Sequence, residues 1–115
     1  MKVLIKSDVL LYLATLVPIL YENGYFSYEE QAQKYVDDLA DDIYDNLPQK
    51  RHKPAPAHYD RYGKGMYYAA FTKNKRTTWY AFFSKYEEND KIIYLVRYIG
   101  NNHTEAHHLY EGFQN

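Results

Sequence analysis

The chain has 115 residues, a length that suits one domain with one hydrophobic core. It has no cysteine, which excludes disulfide bonds, thiolate metal ligands and a thiol nucleophile. Its formal net charge is −1, and its longest apolar stretch, residues 9–21, is too short and interrupted to cross a bilayer. We therefore expect a cytoplasmic protein that has no contact with a membrane.

The charged residues are segregated along the chain. Residues 28–47 contain seven acidic side chains against Lys34 alone, whereas residues 48–65 contain five basic side chains against Asp60. Such a distribution allows a cationic surface on a chain that is nearly neutral in total. It is equally typical of two solvated surfaces with no ligand.

The N-terminal residues predict a short strand followed by a helix. Val3 and Ile5 alternate with other side chains in residues 1–6, as in a strand. Residues 9–21 are apolar on nearly every side, which predicts a largely buried helix. Ser7 or Asp8 would cap its first turn.

A second helix is predicted from residue 28 to residue 47. Ser27 and Glu30 have the spacing of a capping box, and Pro48 ends the helix. Acidic residues occupy the polar side. The apolar side chains recur every three or four residues, at Tyr28, Ala32, Tyr35, Val36, Leu39, Ala40, Ile43 and Leu47.

Residues 49–65 contain prolines and glycines without a period, so we expect a flexible, basic loop there. Residues 66–73, 77–86 and 91–99 are rich in strand-forming residues, and the short turns between them predict an antiparallel meander. The sequence thus predicts an α+β domain over residues 1–115. Its element order is β-α-α-β-β-β, with two N-terminal helices packed on a small, mostly antiparallel sheet.

Arg97 is the most unusual residue of the predicted sheet. By strand alternation it lies on the side that carries Ile93, Leu95 and Ile99, where a charged side chain is not expected. It either pairs with an acidic residue or reaches water, or it forms a binding site for phosphate.

The C-terminal residues offer groups for proton transfer. His103 and His107 are four residues apart, so they share one side if this segment is helical, and Tyr110 adds a phenol. The same histidine spacing suits a metal, which leaves a metal-dependent hydrolase as an alternative. Most of the fifteen tyrosines are expected to pack in the fold, while exposed ones, together with Trp79, would stack on bases.

The layout resembles the RelE/ParE superfamily, the toxins of bacterial type II toxin–antitoxin pairs. The element order carries the resemblance over the whole chain. Residues 79–83, 87–90 and 92–97 (WYAFF, EEND and IIYLVR) resemble the central hairpin of the family. Residues 98–103 (YIGNNH) resemble its last strand and polar tail.

The resemblance implies an endoribonuclease that cuts mRNA at the ribosome without a metal or other cofactor. Its partner would be an antitoxin, whose extended segment covers the groove between helices and sheet. The residues carried over by position are Arg97, His103, His107 and Tyr110 for catalysis, and Arg61, Lys73, Lys75 and Arg76 for RNA phosphates. The same family fold also serves toxins that bind DNA gyrase, so a non-enzymatic interaction module, including an inactive toxin relic, is the alternative.

Overall fold

The computed structural model of the chain describes residues 1–102 and contains one sheet and two α-helices. The elements are β1 (Lys2–Ile5), α1 (Ser7–Glu22), α2 (Glu29–Asn46), β2 (Lys53–Pro54), β3 (Tyr67–Asn74), β4 (Thr77–Glu88) and β5 (Lys91–Asn101). The strand order is β1-β5-β4-β3-β2, with β1 parallel to β5 and the other pairs antiparallel. The predicted α+β class and the predicted order of helices and main strands are confirmed. The two-residue edge strand β2 was not predicted.

The N-cap residue of helix α1 precedes both predicted caps. Lys6 occupies the N-cap position, and its carbonyl accepts hydrogen bonds from the amides of Val9 (2.9 Å) and Leu10 (3.0 Å). No side chain caps this helix, so the prediction of Ser7 or Asp8 is wrong. The reason is that the Lys6 amide donates to Val96 of β5 (3.0 Å), which takes the chain from β1 directly into the helix. Among residues 1–102, no helix is long and apolar enough to cross a membrane.

The N-cap residue of helix α2 also differs from the predicted one, by one position. Tyr28 is its N-cap residue, and the Tyr28 amide donates to the side-chain oxygen of Gln31 at 3.2 Å. Gln31 thus takes the role predicted for Glu30, and the Ser27–Glu30 pair is wrong. The predicted apolar stripe is confirmed for Ala32, Val36, Leu39, Ile43 and Leu47, which are buried, and Tyr35 and Ala40 are partly buried against the same core. Tyr28, the first member of the predicted stripe, is exposed.

Both helices pack on one face of the sheet, which we call the helix face. Their buried residues meet one set of strand side chains in a single core. Fully or almost fully buried strand residues on this face are Phe71, Trp79, Ala81, Phe83, Val96 and Ile99. This layer accounts for most of the aliphatic side chains of the domain.

The opposite face, which we call the loop face, is covered by the segment predicted as a loop. Strand β2 and a 3₁₀ helix, Ala57–Arg61, lie in this segment. Tyr59 of that helix is completely buried, and its ring stacks on Phe82 at 4.2 Å between centroids. The cluster beneath the segment consists of Tyr59, Met66, Tyr68, Tyr80 and Phe82. Aromatic stacking thus holds in place a segment that has no hydrophobic period.

The turn between β4 and β5 is tighter than the predicted turn over residues 87–90. Asn89 and Asp90 alone form it, with φ angles of 51° and 64°. Two consecutive residues with positive φ are typical of the two-residue turns that match the twist of a hairpin. The turn therefore extends the two strands to Glu88 and Lys91 and fixes their register.

Candidate functional site

Strand β5 contains a β-bulge at Arg97. Across strands β4 and β5, Phe82 pairs with Tyr98 but Phe83 pairs with Val96, so Arg97 is an extra residue without a partner. An extra residue shifts the alternation of side chains along its strand. The alternation of side chains along β5 therefore changes after Arg97.

Arg97 lies on the loop face, as does Leu95, which pairs with Ser84. Its Nε donates a hydrogen bond to Oγ of Ser84, the strand neighbour of the helix-face residue Phe83. Ile99, in contrast, is buried in the helix-face core. Arg97 therefore shares the side of Ile93 and Leu95, as alternation predicts, but not that of Ile99, because the bulge lies between them.

Two hydroxyl groups hold the guanidinium group of Arg97. Nε lies 3.0 Å from Ser84 Oγ, and Nη2 lies 2.5 Å from Tyr86 Oη. Arg97 forms no ion pair within 4.0 Å among residues 1–102, so the acidic partner that the sequence left open is absent from that part of the chain. These two bonds use two of the five N–H groups of the side chain. The guanidinium group is thus fixed in position, and its other N–H groups remain as donors for an anion.

Tyr86 is a functional candidate that the sequence analysis missed. The hydrogen bond from Arg97 lowers the pKa of the Tyr86 phenol, and a bond with Ser84 adds to this effect. A donor that favours the phenolate raises the fraction of Tyr86 that is ionised and can accept a proton. The side chain is 45% exposed, so a ligand can reach it. Tyr86 pairs with Ile93, four residues before Arg97, so the register alone does not indicate this contact.

Gly63 lies against Arg97 on the loop face. A Cβ atom at this position would stand 2.8 Å from Cδ and 3.2 Å from Nε of Arg97. The backbone of Gly63 is outside the left-handed region, so its conformation does not require glycine. The reason for glycine is instead the close approach of the Arg97 side chain, which leaves too little room for a Cβ atom. The Gly63 amide donates to Asp60 at 3.0 Å, which ties this contact to the 3₁₀ helix.

A small cleft of about 180 Å³ opens beside Arg97. The ring of Tyr62 stacks on that of Tyr98 at 4.1 Å and 8° and forms an aromatic wall of the cleft. Asp8 of the first turn of α1 lies on its border. The cleft therefore combines a fixed guanidinium group with aromatic surface.

Of the residues predicted to bind phosphate, Arg61 lies near this cleft. Its guanidinium group is 5.0 Å from the centroid of the Tyr62 ring. Lys73, Lys75 and Arg76 lie instead at the β3–β4 turn. Strand β5 separates that end from Arg97 by roughly 13–20 Å at about 3.3 Å per residue. The structure thus divides the predicted phosphate-binding residues between two places.

The predicted catalytic residues His103, His107 and Tyr110 lie outside the described residues. The chain leaves the sheet at Asn102, whose side chain is held on both sides. Its Oδ1 accepts from the amide of Thr78 (2.9 Å), and its Nδ2 donates to the carbonyl of Arg76 (2.8 Å). Asn102 therefore lies at the end of the sheet that carries Arg76.

Trp79 does not serve as a surface for bases. Its side chain is 2% exposed, and its indole N–H donates to Tyr35 Oη at 2.9 Å. The expectation that Trp79 stacks on bases is wrong, because the ring belongs to the core under helix α2.

A larger groove of about 710 Å³ lies between the α1–α2 connection and the end of the sheet. Its lining is mainly apolar, and Lys73 is the only charged residue in it among residues 1–102. Within the same range, no three histidine, aspartate or glutamate side chains are grouped as a metal would need. The described residues thus offer two candidate surfaces, the Arg97 cleft and this groove.

A comparison of the chain with protein-family models, curated proteins and solved structures finds no match. Function therefore has to be argued from the geometry of the two surfaces. The resemblance to RelE/ParE toxins stays a prediction from the sequence.

Proposed function

We propose that the chain is a toxin-like protein of the RelE/ParE type that cleaves mRNA at the ribosome in the cytoplasm without a metal. The observation that carries this proposal is the pair formed by Arg97 and Tyr86, with 2.5 Å between guanidinium nitrogen and phenol oxygen. An antitoxin partner belongs to the proposal through the resemblance alone.

The pair supplies two of the three functions that metal-free RNA cleavage needs. The 2′-hydroxyl oxygen attacks the adjacent phosphorus, the bond to the 5′ oxygen breaks, and a 2′,3′-cyclic phosphate and a 5′-hydroxyl result. Arg97 stabilises the charge that develops on the phosphate oxygens, and Tyr86, in its phenolate form, accepts the 2′-hydroxyl proton. A second group returns a proton to the 5′ oxygen. The residues predicted for this proton donor are His103, His107 and Tyr110.

The distribution of charge supports an anionic ligand on the loop face. The basic segment of residues 49–65, which includes Arg61, crosses this face above the aromatic cluster. The acidic residues of α2 belong to the helix layer, on the other side of the sheet. RNA that approaches Arg97 therefore meets the cationic part of the chain and not the acidic helix.

The test compares wild-type protein with Arg97→Ala and Tyr86→Phe, expressed from a tightly repressed promoter and added to ribosome-bound message. We expect growth arrest and fragmented message from the wild type, and a loss of cleavage of about 100-fold or more in each variant. Tyr44→Phe is the matched control, because Tyr44 is a similarly exposed tyrosine (40%) on α2. Intact message with the wild-type protein would disprove the proposal.

A non-enzymatic interaction module is the second candidate, and the apolar groove favours it. The groove is larger than the Arg97 cleft, about 710 Å³ against 180 Å³, and is suited to an apolar segment of a partner such as gyrase or an antitoxin. This function predicts growth arrest with intact message, or a stable complex, that persists in Arg97→Ala. Ile19→Asp, in the groove, would abolish it.

A further inference from the structure

The groove at the end of the sheet exposes apolar side chains that nothing in residues 1–102 covers. Ile19 is 46% exposed and Tyr25 is 71% exposed, although both line the groove. Leu16, Leu20 and Phe26 contribute to the same surface. Apolar surface of this extent is typically covered by a further segment or by a partner.

The chain itself leads into this groove. Asn101, the last residue of β5, lines the groove, and Asn102 is fixed beside it by hydrogen bonds to Thr78 and Arg76. Thirteen residues follow. They would span roughly 20 Å as a helix or 43 Å when extended, so either form is long enough to cross the groove.

The composition of residues 103–115 complements the groove. Leu109 and Phe113 are apolar and four residues apart, which puts them on one side of a helical segment. Glu105 and Glu111 are acidic, whereas the groove carries Lys73. Both the apolar and the charged surfaces of the two parts thus match.

We propose that residues 103–115 dock in the groove of their own chain and bury Leu109 and Phe113 against α1 and the α1–α2 connection. This inference goes beyond the proposed function and does not depend on it. The groove adjoins the Arg97 cleft, because Tyr12 lines both.

The absence of cysteine from the chain permits a cross-linking test without background. The full-length variant Ile19→Cys/Leu109→Cys is oxidised at low protein concentration, and its disulfide is mapped by non-reducing gel and mass spectrometry. The matched control is Tyr21→Cys/Leu109→Cys. Tyr21 has a similar exposure (42%) but does not line the groove, since two residues correspond to about 200° around a helix.

We expect the Ile19 pair to form an intramolecular disulfide at least tenfold faster than the Tyr21 pair. Equal rates in the two variants would overturn the proposal. Disulfide formation mainly between two molecules, at a rate that rises with concentration, would also overturn it and would identify a second copy as the occupant.

A second measurement uses a dye that binds exposed apolar surface. We expect full-length Leu109→Asp/Phe113→Asp to bind several-fold more dye than the wild type, whereas Gln114→Asp behaves as the wild type. Equal dye binding by all three proteins would overturn the proposal, because the groove would then be open in the intact chain and available to a partner.

Discussion

The two faces of the sheet are covered in different ways. Helices α1 and α2 cover the helix face with side chains that repeat every three or four residues. An irregular segment covers the loop face, and one completely buried aromatic side chain, Tyr59, anchors it. Strand β4 serves both faces with adjacent residues, Phe82 towards the segment and Phe83 towards the helices.

The two kinds of cover differ in what they provide: the helix face stabilises the fold, and the loop face positions the candidate site. A helix cover is regular and keeps its backbone away from the sheet by the length of its side chains. An irregular cover brings backbone and sheet together, as at Gly63 and Arg97, and so fixes a charged group at the surface. We therefore expect changes on the helix face to affect folding and changes on the loop face to affect the site.

The largest effect is expected for Phe83→Ala. Phe83 is completely buried in the helix-face core, so its truncation should reduce the free energy of unfolding by about 3–5 kcal/mol. This is a large fraction of the about 5–15 kcal/mol typical of a domain. Urea unfolding measures it, with Ile92→Ala, an exposed position of β5, as the control. A loss below about 1 kcal/mol would show that the helix face is not the main source of stability.

A smaller, local effect is expected for Tyr59→Ala. The loss of the stacking on Phe82 should release the segment of residues 49–65 while the helices and the sheet stay folded. Trypsin reports this release, because the segment contains five lysine and arginine residues. His58→Ala is the control, since His58 is exposed and contacts Tyr59 from outside. Global unfolding of Tyr59→Ala at the level of Phe83→Ala would make the two faces equivalent.

The sequence predicts the helix face well and the loop face poorly, for a physical reason. The stripe of α2 follows from the helical period alone, so Val36 and Leu39 are identified without knowledge of the fold. Tyr59 has no period around it, and its burial depends on Phe82, which is distant in sequence. Local patterns carry no information about such a contact. The prolines and glycines of the segment predicted only that it is irregular.

The candidate site shows the same limit. Arg97 was identified because a charge within an apolar strand is unusual, but the bulge puts Ile99, predicted to lie on the same side, on the opposite face. No residue type at positions 82 or 98 signals that bulge. Tyr86 was missed because its role depends on Arg97 across the hairpin. The register, more than the local sequence, thus determines the chemistry of the site.

Gly63→Ala should affect the site with little effect on folding. The new methyl group would meet Cδ of Arg97, a flexible side chain that can move away. If the proposed function holds, we expect about a tenfold loss of RNA cleavage, equivalent to about 1.4 kcal/mol. A shift of the Arg97 Nε–H resonance in NMR spectra reports the displacement independently of activity.

Gly65→Ala is the matched control for Gly63→Ala. Gly65 has a φ of +67° and no neighbour within 4 Å of a Cβ atom, so alanine strains only the backbone. We expect it to cost roughly 1–2 kcal/mol of stability without moving Arg97. The reverse pattern, with the Arg97 resonance unchanged in Gly63→Ala, would show that the loop face does not position this side chain.

The smallest effect concerns the titration of Tyr86. Arg97 lowers the pKa of the Tyr86 phenol, so Arg97→Gln should raise this pKa towards its ordinary value. The difference in phenolate absorbance between a protein and its Tyr86→Phe variant isolates this group among fifteen tyrosines. Lys91→Gln removes one positive charge from the same strand and is the control.

The sign of the linked stability follows from the direction of the shift. Because the pKa of Tyr86 is lower in the folded chain, its ionisation stabilises the folded state at pH values above the pKa of unfolded tyrosine. This contribution is lost as the pH falls through the lowered, folded-state pKa of Tyr86. An unchanged titration in Arg97→Gln would show that Arg97 does not favour the phenolate, and Tyr86 would then lose its role as the proton acceptor.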